Sequence, residues 1–398
     1  MKKVSKLFCI CAFVFFISIT GVATVFSVKY DYSFYENRNL AQLPRFSKES
    51  FISGEYFEGL GKYLEDQCEA REVLMKINTF VNMKILKRPV VNDIVVKDDI
   101  LLPFNNFEVV DPLYIENKSK INADNVSAVR DIAESYGGKY YYIAVPCQYA
   151  YFEDRYPDYL NNRKEFTDTE LVYTKNHMAE RHINYIDMGV VFDKMGNPES
   201  MWSTTDNHYT MSGAYTLYTT IINAINNTTD FNLKLPTNIR FQNIENPYLG
   251  SRNRKLFGMY DTDEKLLYAD FGEPLSLSRT NDGRYSSPTV YKMPENKNEF
   301  ITYDFYMGGD VGETIIKTER PDLPSVLIYG DSFTNPLESL MYYSFNEMRS
   351  LDLRHYNDKT LSQYILEYKP DIVICVRDYE SMLFDEGNGR AVDRKYDK

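Results

Sequence analysis

At 398 residues and 43% hydrophobic composition, the chain can bury a full core as one large domain or two ordinary ones. A formal net charge of -12 excludes a protein that tracks nucleic-acid phosphates, which requires a basic face. No CxxC or HExxH spacing occurs anywhere, so neither a metal site nor a cofactor is expected.

Lys2, Lys3 and Lys6 precede an uncharged apolar run from Leu7 to Val28. A membrane span needs about 20 apolar residues, whereas the apolar core of a cleaved signal has about 7–15. Residues 1–28 are therefore expected to be a basic flank and signal anchor, with residues 29–398 outside the cytoplasm. A cleaved signal ending near Ala23 is the alternative; it would make the protein secreted rather than membrane-anchored, with residues 30–398 outside the cytoplasm in either case. Cys9 and Cys11 fall within the run. Cys68, Cys147 and Cys375 are well separated, which does not suit disulfide staples, and Cys147 and Cys375, in or beside apolar strands, read as buried thiols.

Residues 50–90 read as a helical lead-in, with Leu60, Leu64, Val73, Leu74, Ile77 and Val81 at three- and four-residue spacing. Beyond residue 120 helices and strands alternate. A helix over Asn122–Tyr136 is closed by Gly137-Gly138, and Lys139–Val145 is a buried strand. A helix over 167–181 and a strand over Ile183–Asp187 follow. Residues 236–320, rich in Asn, Gly, Ser and Arg, read as an insertion of loops and small strands. Strand Val326–Tyr329, helix Pro336–Met348, helix 360–368 and strand Ile372–Val376 complete the chain. This alternation predicts an α/β fold, a three-layer sandwich around a mostly parallel sheet.

The strand Val326–Tyr329 runs into Gly330-Asp331-Ser332-Phe333, and Asn335 and Pro336 suit the start of the next helix. Ser332 thus sits at the carboxyl end of a strand, the edge at which open α/β sheets bind ligands. A plain strand-to-helix turn is the alternative, since Gly, Asp and Ser are ordinary turn residues. A serine hydroxyl needs a base to act as a nucleophile. Of four histidines, His208 stands in Thr204-Thr205-Asp206-Asn207-His208-Tyr209, before a helix with Met211, Tyr215, Tyr218, Ile222 and Ile225 on one face. Asp206, two residues earlier, can orient the imidazole while its other nitrogen faces Ser332. An aspartate capping the helix is the alternative role.

Together these residues resemble the DHHW family, SGNH-hydrolase-like proteins similar to alginate O-acetylation proteins. The resemblance rests on Glu36-Asn37-Arg38-Asn39-Leu40-Ala41, on Gly54 through Asp66 to Arg71, on Val145-Pro146, on Asp206 and His208 with Gly213-Ala214-Tyr215, and on the late Gly-Asp-Ser block. It spans nearly all of residues 30–380, with the serine block last rather than first. It departs at Asn207 and Tyr209, where the family reads His and Trp, and at Gln148, where a lysine is expected.

The resemblance implies a serine-dependent O-acetyltransferase with Ser332, His208 and Asp206 as its catalytic set. It further implies a polysaccharide acceptor and a membrane-bound O-acyltransferase as donor-side partner. Gly250 and Asn335 are candidates for the SGNH oxyanion donors. Tyr209, Arg252 and Arg377 are candidates for substrate contact, with a surface ion pair to Asp378 as the other role for Arg377. An SGNH-type carbohydrate esterase and a non-catalytic glycan-binding envelope protein remain the alternatives.

Overall fold

A computed structural model describes residues 2–105, 110–272 and 275–384. The chain divides into two compact units. One comprises residues 1–96 with Asn253–Asp261, and the other Lys97–Arg252 with Thr262–Lys398.

The first unit begins with α1 (Lys2–Phe26). Its stretch Lys6–Phe26 has a mean hydropathy of 2.4 and is the one helix among the described residues long and apolar enough to cross a membrane. At 1.5 Å per residue it measures about 31 Å, the thickness of a bilayer's hydrocarbon core. Helices α2 (Lys48–Ser53), α3 (Glu55–Asp66) and α4 (Arg71–Phe80) follow, and a π-helical turn extends α4 over Val81–Ile85. The residues around 36–41 and 66–71 prove to be a clasp. Arg38 grips both oxygens of Asp66 at 2.8 and 2.5 Å, and Arg71 donates to Glu36 at 2.9 Å. Asp66 also accepts the Ala41 N–H at 2.8 Å. The Arg38 hydrogen bonds, outweighing partial burial, lower the Asp66 carboxyl to about 2.

The second unit is built on α5 (Pro112–Glu134), β1 (Lys139–Val145), α6 (Lys164–Glu180), β2 (Tyr185–Asp187), α7 (Met188–Asp193) and α8 (Met211–Thr228). Then come β3 (Ser278–Asn281), β4 (Arg284–Ser286), β5 (Glu313–Lys317), β6 (Ser325–Gly330), α9 (Asn335–Met341), β7 (Glu347–Asp352), α10 (Leu361–Tyr368) and β8 (Ile372–Asp378). Helix α5 starts ten residues before its sequence reading, because Asp111 accepts the Leu113 and Tyr114 N–H groups and Pro112 fits the first turn. It ends as expected, with Gly137 at φ 95°.

The eight strands form a single sheet in the order β4-β3-β5-β7-β6-β8-β1-β2. Strands β7, β6, β8, β1 and β2 are parallel to one another. Strands β5, β3 and β4 extend this core antiparallel. The sheet is therefore mixed: four of its seven pairings are parallel, and the three antiparallel ones were not foreseen in the sequence. The cause lies in the 236–320 segment. Asp282-Gly283 turns with φ of 46° and 71°, the positive values a two-residue hairpin requires, and so makes the β3–β4 hairpin an edge. The helix expected over Pro336–Met348 also stops early, at Met341, and Glu347–Asp352 becomes a strand paired on both sides.

Helices lie on both faces of the sheet. The Tyr141 hydroxyl meets Thr228 of α8 at 2.5 Å, whereas Tyr142, one residue along, faces Asn122 of α5. Successive strand residues point to opposite faces, so α8 and α5 cover opposite sides. Across the buried strands the hydroxyls of Tyr140 and Tyr329 pair at 2.6 Å, satisfying two polar groups without water.

Candidate active site

Ser332 follows β6 directly. Gly330 must be glycine here, since an added Cβ would lie 2.4 Å from the Val376 carbonyl oxygen on β8. Asp331 folds back to accept the Phe333 N–H at 2.9 Å and an Arg377 N–H at 2.8 Å, which stiffens the turn. Ser332 opens the 3-10 turn Ser332–Thr334 and is half-buried, hence reachable from outside.

His208 stands in a loop held at both ends. Trp202 and Tyr209 pair as an antiparallel bridge, and Thr210 caps α8 by accepting the Gly213 N–H. Inside the loop, the Ser203 hydroxyl accepts the Thr205 and Asp206 N–H groups. From below, Glu264 accepts the N–H groups of Thr204 and Thr205 at 2.9 and 3.0 Å and both their hydroxyls.

Three side chains converge. His208 Nε2 lies 2.9 Å from Ser332 Oγ, and His208 Nδ1 lies 2.6 Å from Asp206 Oδ1. Asp206 is fully buried and accepts two backbone N–H groups as well, from His208 at 3.1 Å and Ser251 at 2.5 Å. Burial opposes its charge, but the attraction and hydrogen bonds of His208, with the Ser251 N–H, hold the carboxyl far below the usual carboxylate range. An ionised Asp206 requires a proton on Nδ1. Nε2 then has a lone pair aimed at the Ser332 hydroxyl, the arrangement of a nucleophile with its base.

The remaining residues singled out in the sequence have other places. Tyr209 is buried and donates its hydroxyl to the Phe333 carbonyl, tying the histidine loop to the serine turn instead of facing substrate. Arg252 is also buried. One of its N–H-bearing nitrogens serves the Asp206 carbonyl at 2.7 Å, the Leu101 carbonyl at 3.2 Å and the Gln148 amide oxygen. Gln148 in turn donates to the Ser203 carbonyl at 2.6 Å, so Arg252 supplies a positive charge beneath the loop and a lysine at position 148 would oppose it.

Arg377 forms no surface pair with Asp378. It is buried against Asp331, because β8 lies next to β6, and with Tyr114, Lys118 and Arg354 it lines a cavity of about 530 Å³. Asn335 donates its amide to Asp310 at 2.9 Å, and no hydrogen bond joins that amide to Ser332 among the described residues. Gly250 permits close packing: a Cβ there would lie 2.4 Å from the Thr205 carbonyl oxygen. Asp310, Asp352 and His355 come within 4.8 Å of one another, but Arg354 bridges both carboxylates and supplies the cation that they need.

Three contributors escaped the sequence reading. Tyr303 stacks on the His208 ring, Glu264 clamps its loop, and Ser251 secures both Asp206 and Asn207. None belongs to a local pattern. All three come from the 236–320 segment, in which the sequence singled out only Gly250 and Arg252.

No protein-family profile matches the chain, and no curated protein matches its sequence. Solved structures do. Bacillus cereus PatB1 with a sulfonyl adduct superposes with a TM-score of 0.59 at 20% identity, covering 73% of this chain and 99% of that one. A DHHW family protein from Eubacterium siraeum superposes with a TM-score of 0.55 at 16% identity, covering 74% of this chain and 94% of its own. The O-acetyltransferase domain of Pseudomonas putida AlgJ matches with a TM-score of 0.44 at 12% identity, covering 73% and 92%. The chain therefore shares the fold of the DHHW family protein and of PatB1.

Proposed function

We propose that this protein is an exported, serine-dependent O-acetyltransferase of SGNH type, held at the membrane by α1 and acting on a polysaccharide. The observation that carries this reading is the Ser332–His208–Asp206 relay, with contacts of 2.9 and 2.6 Å, at the carboxyl end of β6. Helices on both faces of the sheet support a three-layer arrangement, and the shared fold supports acetyl as the group moved.

In the first half-reaction Ser332 Oγ forms a bond to the acetyl carbon while its proton passes to His208 Nε2. The carbonyl electron pair moves onto oxygen. Collapse of the tetrahedral species expels the donor's oxygen or sulfur, which leaves with the proton from Nε2, and an acetyl-serine remains. In the second, a sugar hydroxyl gives its proton to Nε2 and attacks the acetyl-serine, and Ser332 departs with that proton. Asp206, kept ionised, stabilises the imidazolium in both halves. A membrane-bound O-acyltransferase would supply the acetyl group on the outer side, where residues 29–398 would lie.

Mass spectrometry of the full chain after exposure to a small acetyl ester tests the reading. One added acetyl group on the peptide containing Ser332 is expected, and oligosaccharide should discharge it faster than water. Equal discharge with and without acceptors would make the protein an esterase. An acetyl group elsewhere, with Ser332 unmodified, would end the reading.

A further inference from the structure

We infer that Asn207 is a catalytic residue whose side-chain amide donates to the oxyanion formed at Ser332. The inference rests on the serine-nucleophile reading above. Asn207 lies between Asp206 and His208, and unlike both it is only half-buried. Its Nδ2 is 3.4 Å from His208 Nε2, the same nitrogen that faces the Ser332 hydroxyl at 2.9 Å.

Two contacts determine which end of the amide faces the site. Asp206 takes the Nδ1 proton, so Nε2 is an acceptor and only the NH2 end of Asn207 is compatible with it. The Ser251 hydroxyl donates to Asn207 Oδ1 at 2.7 Å and fixes the opposite end. Ser251 also gives its N–H to Asp206, so one residue orients both the acid and the amide. Such fixed orientation is what makes a donor effective toward charge that develops only in the transition state.

The sequence of events then follows from proton position. In the resting site the Asn207 N–H shares the Nε2 lone pair with the Ser332 hydroxyl. When Ser332 attacks, its proton moves onto Nε2 and consumes that lone pair. The Asn207 N–H loses its acceptor as the acyl carbonyl oxygen beside it gains a negative charge. With its Oδ1 end still held by Ser251, the amide offers the same N–H to that oxygen without a net proton change. The side chain is neutral, so this contribution does not titrate. A histidine at this position, as in the resembled family, would present a ring nitrogen whose donor state depends on pH. The departure at residue 207 therefore gives this chain a donor whose state does not depend on pH.

Steady-state hydrolysis of a small acetyl ester by the full chain tests the assignment. Removing one oxyanion donor typically lowers kcat about 10²–10³-fold. Asn207→Ala should show a loss of that order, with KM within about threefold and an unchanged midpoint for the acidic limb of the pH profile. A kcat within about threefold of the parent overturns the inference. So does a loss accompanied by a shifted acidic limb, because Asn207 would then act through His208. If Asn207→Ala melts early, Asn207→Gln, which carries the amide past the site, takes its place with the same expected result. Ser332→Ala separates this inference from the reading beneath it. Retained turnover there removes the nucleophile itself, whereas turnover abolished there and intact in Asn207→Ala removes only the donor.

Discussion

Tyr303 lies flat on the imidazole of His208, with ring centroids 3.6 Å apart and planes 9° apart, and its hydroxyl donates to the Ser332 carbonyl at 2.9 Å. One side chain thus touches both halves of the relay. The ring face also favours the imidazolium that forms during turnover, an effect of about 0.5–2 kcal/mol for a cation over an aromatic ring. Tyr303→Leu should lower kcat for an acetyl ester by about 3–30-fold, since each 1.4 kcal/mol is a factor of about ten. Tyr303→Phe keeps the stack and should lose less. Steady-state kinetics would rank the two variants, and equal rates for Leu and the parent would show that the stack only fills space.

The relay itself makes a sharper demand. Ser332→Ala should abolish turnover while shifting Tm little, because Ser332 is a half-buried turn residue whose hydroxyl, among the described residues, serves only His208. His208→Ala should be about as damaging. Asp206→Ala should retain more activity, since triad members act as a unit but the orienting acid contributes less. It should also melt earlier, because it leaves the Ser251 N–H without its acceptor. Ester kinetics together with thermal melts would check this order of effects.

Gly330 offers a test of the turn that presents the nucleophile. Gly330→Ala would push a methyl group to within 2.4 Å of the Val376 carbonyl, a backbone atom of the paired strand β8 that has no rotamer to change. Forced overpacking of this kind costs about 1–3 kcal/mol. The variant should melt several degrees below the parent and lose most of its activity, because Ser332 lies only two residues away. A normal melt with normal activity would contradict the packing at this crossing.

Asp378 ends β8 and is buried, and burial followed by repulsion from Asp331 raises its carboxyl to about 7, against the attraction of Arg377. An acid whose pKa is raised on folding binds its proton more tightly in the native state. Its contribution to stability is therefore most favourable below about 4, the unfolded value, and declines as pH rises toward 7. Asp378→Asn removes that decline. Relative to the parent, the variant should gain several degrees of Tm on going from pH 4 to pH 8 in thermal melts. A difference in Tm that does not change with pH would mean that Asp378 is not protonated in the folded protein.

What the sequence by itself determined was local. The strand Lys139–Val145 is a run of seven residues, six of them buried in the fold, and its length, the Gly137-Gly138 before it and its three tyrosines mark it as a strand. The Gly-Asp-Ser turn after an apolar strand and the Asp-x-His pair before an amphipathic helix were both legible, because short-range steric and capping rules place them. Their 2.9 Å meeting across 124 residues, by contrast, depends on β6 pairing with β8 and on α8 packing against α9. Small strands were expected in the 236–320 segment, but that three of them, β3 to β5, join the main sheet antiparallel was illegible for a related reason. All three are short, β3 and β4 are polar besides, and the edge of a sheet already formed is what pairs them. The same holds for Tyr303, Glu264 and Ser251. Each acts through a contact with a residue tens of positions away, and no spacing along the chain encodes which tyrosine will lie on which histidine. Arg252, beside Gly250, and Arg377, beside the last strand, were candidates for substrate contact from their places in the chain, with a surface ion pair as the other role for Arg377. The tertiary structure buried both beneath the site, where the carboxylate and carbonyl groups that they meet offset the loss of water.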